Sequence, residues 1–155
     1  SIGLSEGVTR SIRKESEAKT TVQRSLRQVK SIEDRIPAGE LGFDWSRRMA
    51  ETKSSADAGK WIEAAESLRA IVGELDDFHS RAEEAREMLE FLYGDWRKLR
   101  KRLESSGYGA ENKDRISTER HLVDAERALS EGDIDNCLES LGDADSSMEA
   151  LRRLV

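Results

Sequence analysis

The sequence has little proline, few aromatic residues and a small apolar fraction. Proline occurs once, at Pro37, and aromatic residues make up only 5% of the chain. Hydrophobic residues account for 36% and charged residues for 37%, whereas a compact globular domain usually carries more apolar and less charged material. A thin helical bundle has much surface and little core, so this composition favours an elongated helical protein.

Four further shortages argue against other classes of protein. A single cysteine, Cys137, cannot form a disulfide within the chain and favours a reducing compartment, which we expect to be the cytoplasm. There is no run of about 18 apolar residues, so no segment is predicted to span a bilayer, and no signal peptide is recognisable. Basic residues are outnumbered, and the net charge of −6 disfavours nucleic acid as a partner.

What the sequence does have is a long apolar seam in its middle. Alternating steps of three and four residues from Trp61 reach only apolar residues, while the intervening positions are mostly charged or polar. This heptad pattern predicts one continuous coiled-coil helix of roughly 65–70 Å. The seam consists of Trp61, Ala64, Leu68, Ile71, Leu75, Phe78, Ala82, Ala85, Leu89, Leu92, Trp96, Leu99 and Leu103.

The first half of this seam recurs near the end of the chain. A shift of 73 residues maps it onto apolar positions again, and the helix before each copy also matches. Gly59 and Gly132 each follow a predicted helix, where a left-handed C-cap requires glycine. The second copy of the seam consists of Ile134, Cys137, Leu141, Ala144, Met148, Leu151 and Val155.

Each copy is predicted to contain a long helix, a shorter helix and a third helix. Asp44 and Ser117 are suitable N-cap residues for the two shorter helices. The stripe of the first long helix is looser, because Glu15 and Lys19 interrupt it. In the first copy the predicted helices cover 4–36, 44–57 and the residues from 60 onward. In the second copy the first helix is the continuation of that last helix to about 105, and the others cover 117–130 and 133–155.

The predicted fold is therefore all-α: two tandem three-helix bundles, 1–77 and 78–155, which form an elongated rod around a shared helix over about 60–105. This arrangement resembles spectrin-type repeats, in which tandem three-helix coiled coils share continuous helices, and Trp96 occupies the seam of a first helix as a tryptophan does there. The resemblance implies a rod-like spacer. Because the seam is still in register at Val155, we expect the native protein to continue past this end.

The most basic stretch of the sequence lies at the end of the shared helix. We call Arg97, Lys98, Arg100, Lys101 and Arg102 the basic segment. These cations could dock on an acidic protein, a membrane phosphate or nucleic acid. Alternatively, they form a solvated helix end whose positive charge complements the helix dipole.

Other candidate sites are weak. Asp76 and His79 have helical i, i+3 spacing, but the second histidine, His121, lacks the carboxylate that a di-iron bundle needs, and no Cys/His cluster suggests zinc. Cys137 occupies a seam position, where a buried thiol is more typical than a nucleophile. We therefore expect no metal, no cofactor and no small-molecule substrate.

The sequence favours a non-enzymatic scaffolding segment that spaces flanking domains and contacts other proteins. One alternative is a regulated interaction module that binds a partner helix or self-associates. Another is docking of the basic segment on an anionic surface.

Overall fold

The fold is all-α, as the heptad pattern predicts. A computed structural model describes residues 6–27 and 29–155, and no strand occurs in this part of the chain. Its helices are α1 (Glu6–Leu26), α2 (Val29–Arg35), α3 (Glu40–Asp57), α4 (Trp61–Ser105), α5 (Lys113–Ser130) and α6 (Ile134–Arg152).

Helix α4 is the long helix that the seam predicts. It runs for 45 residues and continues through Gly73 and Gly94. Along it, Trp61, Phe78 and Ala82 are half-buried. The other seam residues are all buried, namely Ala64, Leu68, Ile71, Leu75, Ala85, Leu89, Leu92, Trp96, Leu99 and Leu103. One face of α4 is thus covered by packing from end to end, which stabilises a helix far more than propensity does.

The chain divides into two compact units, Ser1–Asp77 and Phe78–Val155. Helix α4 contributes 61–77 to the first unit and 78–105 to the second. The first unit also contains α1, α2 and α3, and the second also contains α5 and α6. Both units therefore draw part of their core from the same helix.

In the first unit, α1 and α2 cover different parts of α4. Val22 of α1 is buried with Ala56 and Ala64, and the Lys19 ammonium lies 5.8 Å from the centre of the Trp61 ring. Ile32 of α2 belongs to a second cluster, which contains Met49, Leu68, Ile71 and Leu75. Lys19, which interrupts the apolar stripe in the sequence, is thus accommodated by a cation–π contact.

An ion pair joins α3 and α4 at the surface of the first unit. The Arg48 guanidinium donates from Nη1 and Nη2 to the two carboxylate oxygens of Glu74, at 2.9 and 2.6 Å. This shared hydrogen bonding raises the pKa of Arg48 and lowers the pKa of Glu74. This bidentate pair links the outer surfaces of α3 and α4 beside their shared core.

The second unit has one larger core. Its centre includes Trp96 and Leu103 from α4, Leu122 from α5, and Leu141 and Met148 from α6. At its edge the Tyr93 hydroxyl donates to the Glu126 carboxylate at 2.9 Å. Burial and this neighbouring carboxylate raise the pKa of Tyr93 to about 12.

The 73-residue repeat is visible in the helix boundaries. Helix α5 begins and ends 73 positions after α3, and α6 begins 73 positions after α4. The turns also correspond: the Gly59 amide donates to the Ala56 carbonyl at 3.0 Å, and the Gly132 amide to the Leu129 carbonyl at 3.0 Å. Both glycines have positive φ, 79° and 76°, which confirms the left-handed position expected after each helix.

The predicted first helix, 4–36, is wrong as a single element. Helix α1 ends at Leu26 and α2 begins at Val29, while Leu4 lies outside the described residues. The reason is tertiary: Val22 and Ile32 enter separate core clusters along α4, and one straight stripe does not serve both.

The shorter helices begin one turn earlier than predicted in both copies. Asp44 lies inside α3, where it pairs with Arg47 at 2.6 Å, and the N-cap is Gly39. Ser117 lies inside α5, whose N-cap is Asn112. The predicted third helix, 133–155, ends at Arg152 rather than at the last residue.

Candidate functional site

The basic segment lies on α4, and the apolar residues next to its cations point into the core of the second unit. Trp96, Leu99 and Leu103 are buried in the core. Of the five cations, only Arg100 is half-buried; the others are exposed. Burial of the seam at helical spacing therefore leaves the charged side chains on the outside of the helix.

These five cations have no acidic partner within the described residues. No carboxylate oxygen there lies within 4.0 Å of their side-chain nitrogens, whereas Arg81 pairs with Asp135 at 2.6 Å in the same unit. A small cleft of about 350 Å³ adjoins the segment, lined by Lys101, Arg102, Ser105, Ser106 and Val155. Unpaired cations beside hydroxyl groups provide the charge and hydrogen-bond donors that an anion requires.

A second surface feature of the same unit was not predicted from the sequence. A groove of about 750 Å³ runs between α4 and α6, and we call it the α4–α6 groove. It is lined by Glu84, Glu87, Met88, Phe91, Leu92, Leu138, Leu141, Gly142 and Asp145. Met88 and Phe91 are the signal that could have indicated it, because they are large apolar residues outside the seam.

Arg115 is a structural residue that sequence analysis missed. Its side chain is 5% exposed, and its Nη1 donates to the Tyr108 carbonyl at 3.0 Å. Nη2 donates to the Glu104 carboxylate at 3.5 Å, and Tyr108 itself packs against the core. Arg115 therefore attaches the loop between α4 and α5 to the end of the second unit.

The two histidines and the cysteine lie on three different helices. His79 is exposed and its ring contacts the Phe78 ring edge-on, with centroids 5.3 Å apart, and His121 lies on α5. Burial raises the pKa of the Cys137 thiol, and the nearby Asp133 carboxylate adds to the effect. A raised pKa keeps the thiol protonated and therefore a poor nucleophile. The described part of the chain has no group of three or more His, Cys, Asp or Glu residues that could hold a metal ion.

Comparisons with protein-family models, with curated proteins and with solved structures found no match to this chain. Kinship with spectrin-type repeats therefore stays a prediction. Among the described helices, none has a stretch that is both long and apolar enough to cross a membrane.

Proposed function

We propose that this chain is a non-enzymatic scaffolding segment of a larger protein, which spaces flanking domains and offers helix faces to other proteins. The observation that carries the proposal is α4: one helix of 45 residues supplies core side chains to both compact units. Packing of an apolar face against other helices is the main source of stability for a helix. Such a helix can hold two attachment points about 65–70 Å apart.

The chemistry of the described residues supports a role without catalysis. His79 is exposed on α4, and Cys137 is buried on α6 with a raised pKa. Acid–base or nucleophilic catalysis requires such groups within hydrogen-bond reach of one another in a desolvated cleft. His79 instead contacts the Phe78 ring, and Cys137 lies in the core of the second unit.

Small-angle X-ray scattering tests the spacer directly. A compact domain of 155 residues has a radius of gyration of about 15 Å. A spacer built on one uninterrupted α4 should give a clearly larger value and a pair-distance distribution with a long tail. A radius near that of a compact domain would contradict the proposal.

Anionic docking is a second candidate function, favoured by the lack of acidic partners around the basic segment. Charge reversal of Lys98 and Lys101 to glutamate should abolish binding to vesicles that contain phosphatidylserine, because each basic residue near such a surface contributes about 1 kcal/mol. Reversal of both Lys30 and Lys60, which are exposed in the first unit, makes the same charge change away from the segment and should leave binding unchanged. Equal vesicle binding by both variants would remove this candidate.

A further inference from the structure

The α4–α6 groove has an apolar floor that the chain leaves open to solvent. Phe91 is 68% exposed and Met88 is 48% exposed, although both are large and apolar. They lie three residues apart on α4, next to the buried Leu92, and Leu138 and Leu141 of α6 form the opposite wall. Aromatic residues and methionine are enriched where proteins bind one another, and a methionine side chain adapts its shape to a partner.

Gly142 keeps the α6 wall of this groove low. It lies inside α6, and a Cβ atom at this position would have no neighbour within 4 Å. A glycine in a helix interior is less stable than alanine, and no close approach within the described chain requires it here. A bound partner would use the open space, because its backbone can come close to a residue that has no side chain.

The rim of the groove has only negative charge. Glu84 and Glu87 border it on α4 and Asp145 borders it on α6, and no lysine or arginine lines it. Among the described residues Glu84 and Glu87 form no ion pair, while Asp145 lies 3.7 Å from Arg152. Carboxylates at the edge of an apolar floor complement lysine and arginine side chains that flank an apolar stripe.

From this combination we propose that the α4–α6 groove binds a basic amphipathic helix of a partner protein. The inference rests on the proposed scaffolding function and gives it a binding site and a partner chemistry. An apolar groove between two helices can accept the apolar face of a third helix. A phosphate-bearing partner is repelled by the carboxylate rim, and a second copy of this chain carries the same net charge of −6.

Fluorescence anisotropy with a labelled synthetic peptide tests the proposal. The probe is a helical peptide of about five turns, with leucines at i, i+3, i+4 and i+7 and lysines on both flanks. The whole chain should bind it, and it should not bind the same peptide with glutamates in place of the lysines. Glu84→Lys combined with Glu87→Lys should weaken binding at least about tenfold.

Two further variants separate loss of the groove from loss of the fold. Gly142→Leu adds a side chain to the groove at a position where a Cβ atom would meet nothing within 4 Å, and it should weaken peptide binding at least about tenfold while the helical circular dichroism is unchanged. Glu90→Lys combined with Glu119→Lys makes the same charge change at exposed positions that do not line the groove, and it should bind like the unmodified chain.

Three results would overturn the proposal: no binding of the basic peptide, equal binding of the acidic peptide, or full binding by the groove-filled variant. Self-association that is abolished by Gly142→Leu would assign the groove to a second copy and would also overturn it. Scattering keeps the two proposals apart. If the particle is extended but binds no peptide, the groove proposal fails and the spacer proposal stands. If the particle is compact, the spacer proposal fails.

Discussion

Trp96→Ala should destabilise the second unit by about 3–5 kcal/mol, the range for truncating a buried large aromatic side chain to alanine. Trp96 is 2% exposed and belongs to the core that α4, α5 and α6 build together. Removing the indole leaves a cavity that the surrounding helices fill only in part. Urea unfolding followed by far-ultraviolet circular dichroism measures the loss.

The matched control for this variant is Phe91→Ala on the same helix. It also removes a large aromatic side chain, but Phe91 is mostly exposed, so the expected cost is within about 0.5 kcal/mol. Because Trp45 and Trp61 both belong to the first unit, their fluorescence still reports that unit in the Trp96→Ala variant. Equal costs for the two variants would show that Trp96 does not belong to a packed seam.

Two glycine-to-alanine changes in the first unit should have opposite signs. At Gly42 a Cβ atom would lie 1.7 Å from the Pro37 carbonyl oxygen, so the backbone must shift. We expect Gly42→Ala to cost about 1–3 kcal/mol, the usual range for overpacking. At Gly73 a Cβ atom would meet nothing within 4 Å, and Gly73→Ala should stabilise α4 by about 1 kcal/mol.

Each of these variants is the control for the other, because the chemical change is the same and only the surroundings differ. Thermal or urea unfolding of both, compared with the unmodified chain, gives the two signs. A neutral Gly42→Ala would mean that the loop at Pro37 does not approach α3. A destabilising Gly73→Ala would mean that α4 is not a regular helix at that point.

The seam of α4 could be predicted because its signal is repeated along the whole helix. Each apolar residue from Trp61 to Leu103 adds to the same period, so two glycines in the interior did not obscure it. The duplication was equally accessible, since a shift of 73 residues is a property of the sequence itself. Both predictions rest on patterns that local and long-range interactions support together.

The starts of α3 and α5 were both predicted one turn too late. Asp44 and Ser117 have the chemistry of N-caps, but an earlier turn is already helical. In α5 the Asn112 side chain accepts from the amides of Asp114 and Arg115, at 2.9 and 3.2 Å. In α3 the N-cap Gly39 makes no side-chain hydrogen bond, so only α5 has an earlier capping side chain that the sequence contains.

The break between α1 and α2 has a weaker signal in the sequence. No proline or glycine separates Leu26 from Val29, and only the looser stripe of the first helix suggests an irregularity. The two helices belong to different core clusters. Each cluster also contains residues of α4, which are far away in the sequence. Local helix propensity is too weak to decide such a position.

The two candidate surfaces also differ in how far each could be predicted from the sequence. The basic segment is contiguous, so five cations in six positions were visible in the sequence. The α4–α6 groove is formed by residues about fifty positions apart, and its shape depends on how the two helices pack. Phe91 is the feature of the sequence that indicates the groove. The seam alone, however, does not predict which residues beside it remain exposed.

The scaffolding proposal requires α4 to remain one helix from Trp61 to Ser105 in solution. Pulsed electron paramagnetic resonance between spin labels at Ser67→Cys and Lys98→Cys, both exposed, in a Cys137→Ala background measures this directly. An uninterrupted helix between these positions predicts a single narrow distance distribution near about 45–50 Å. A broad distribution, or a maximum below about 35 Å, would show that α4 bends or breaks and would contradict the scaffolding proposal.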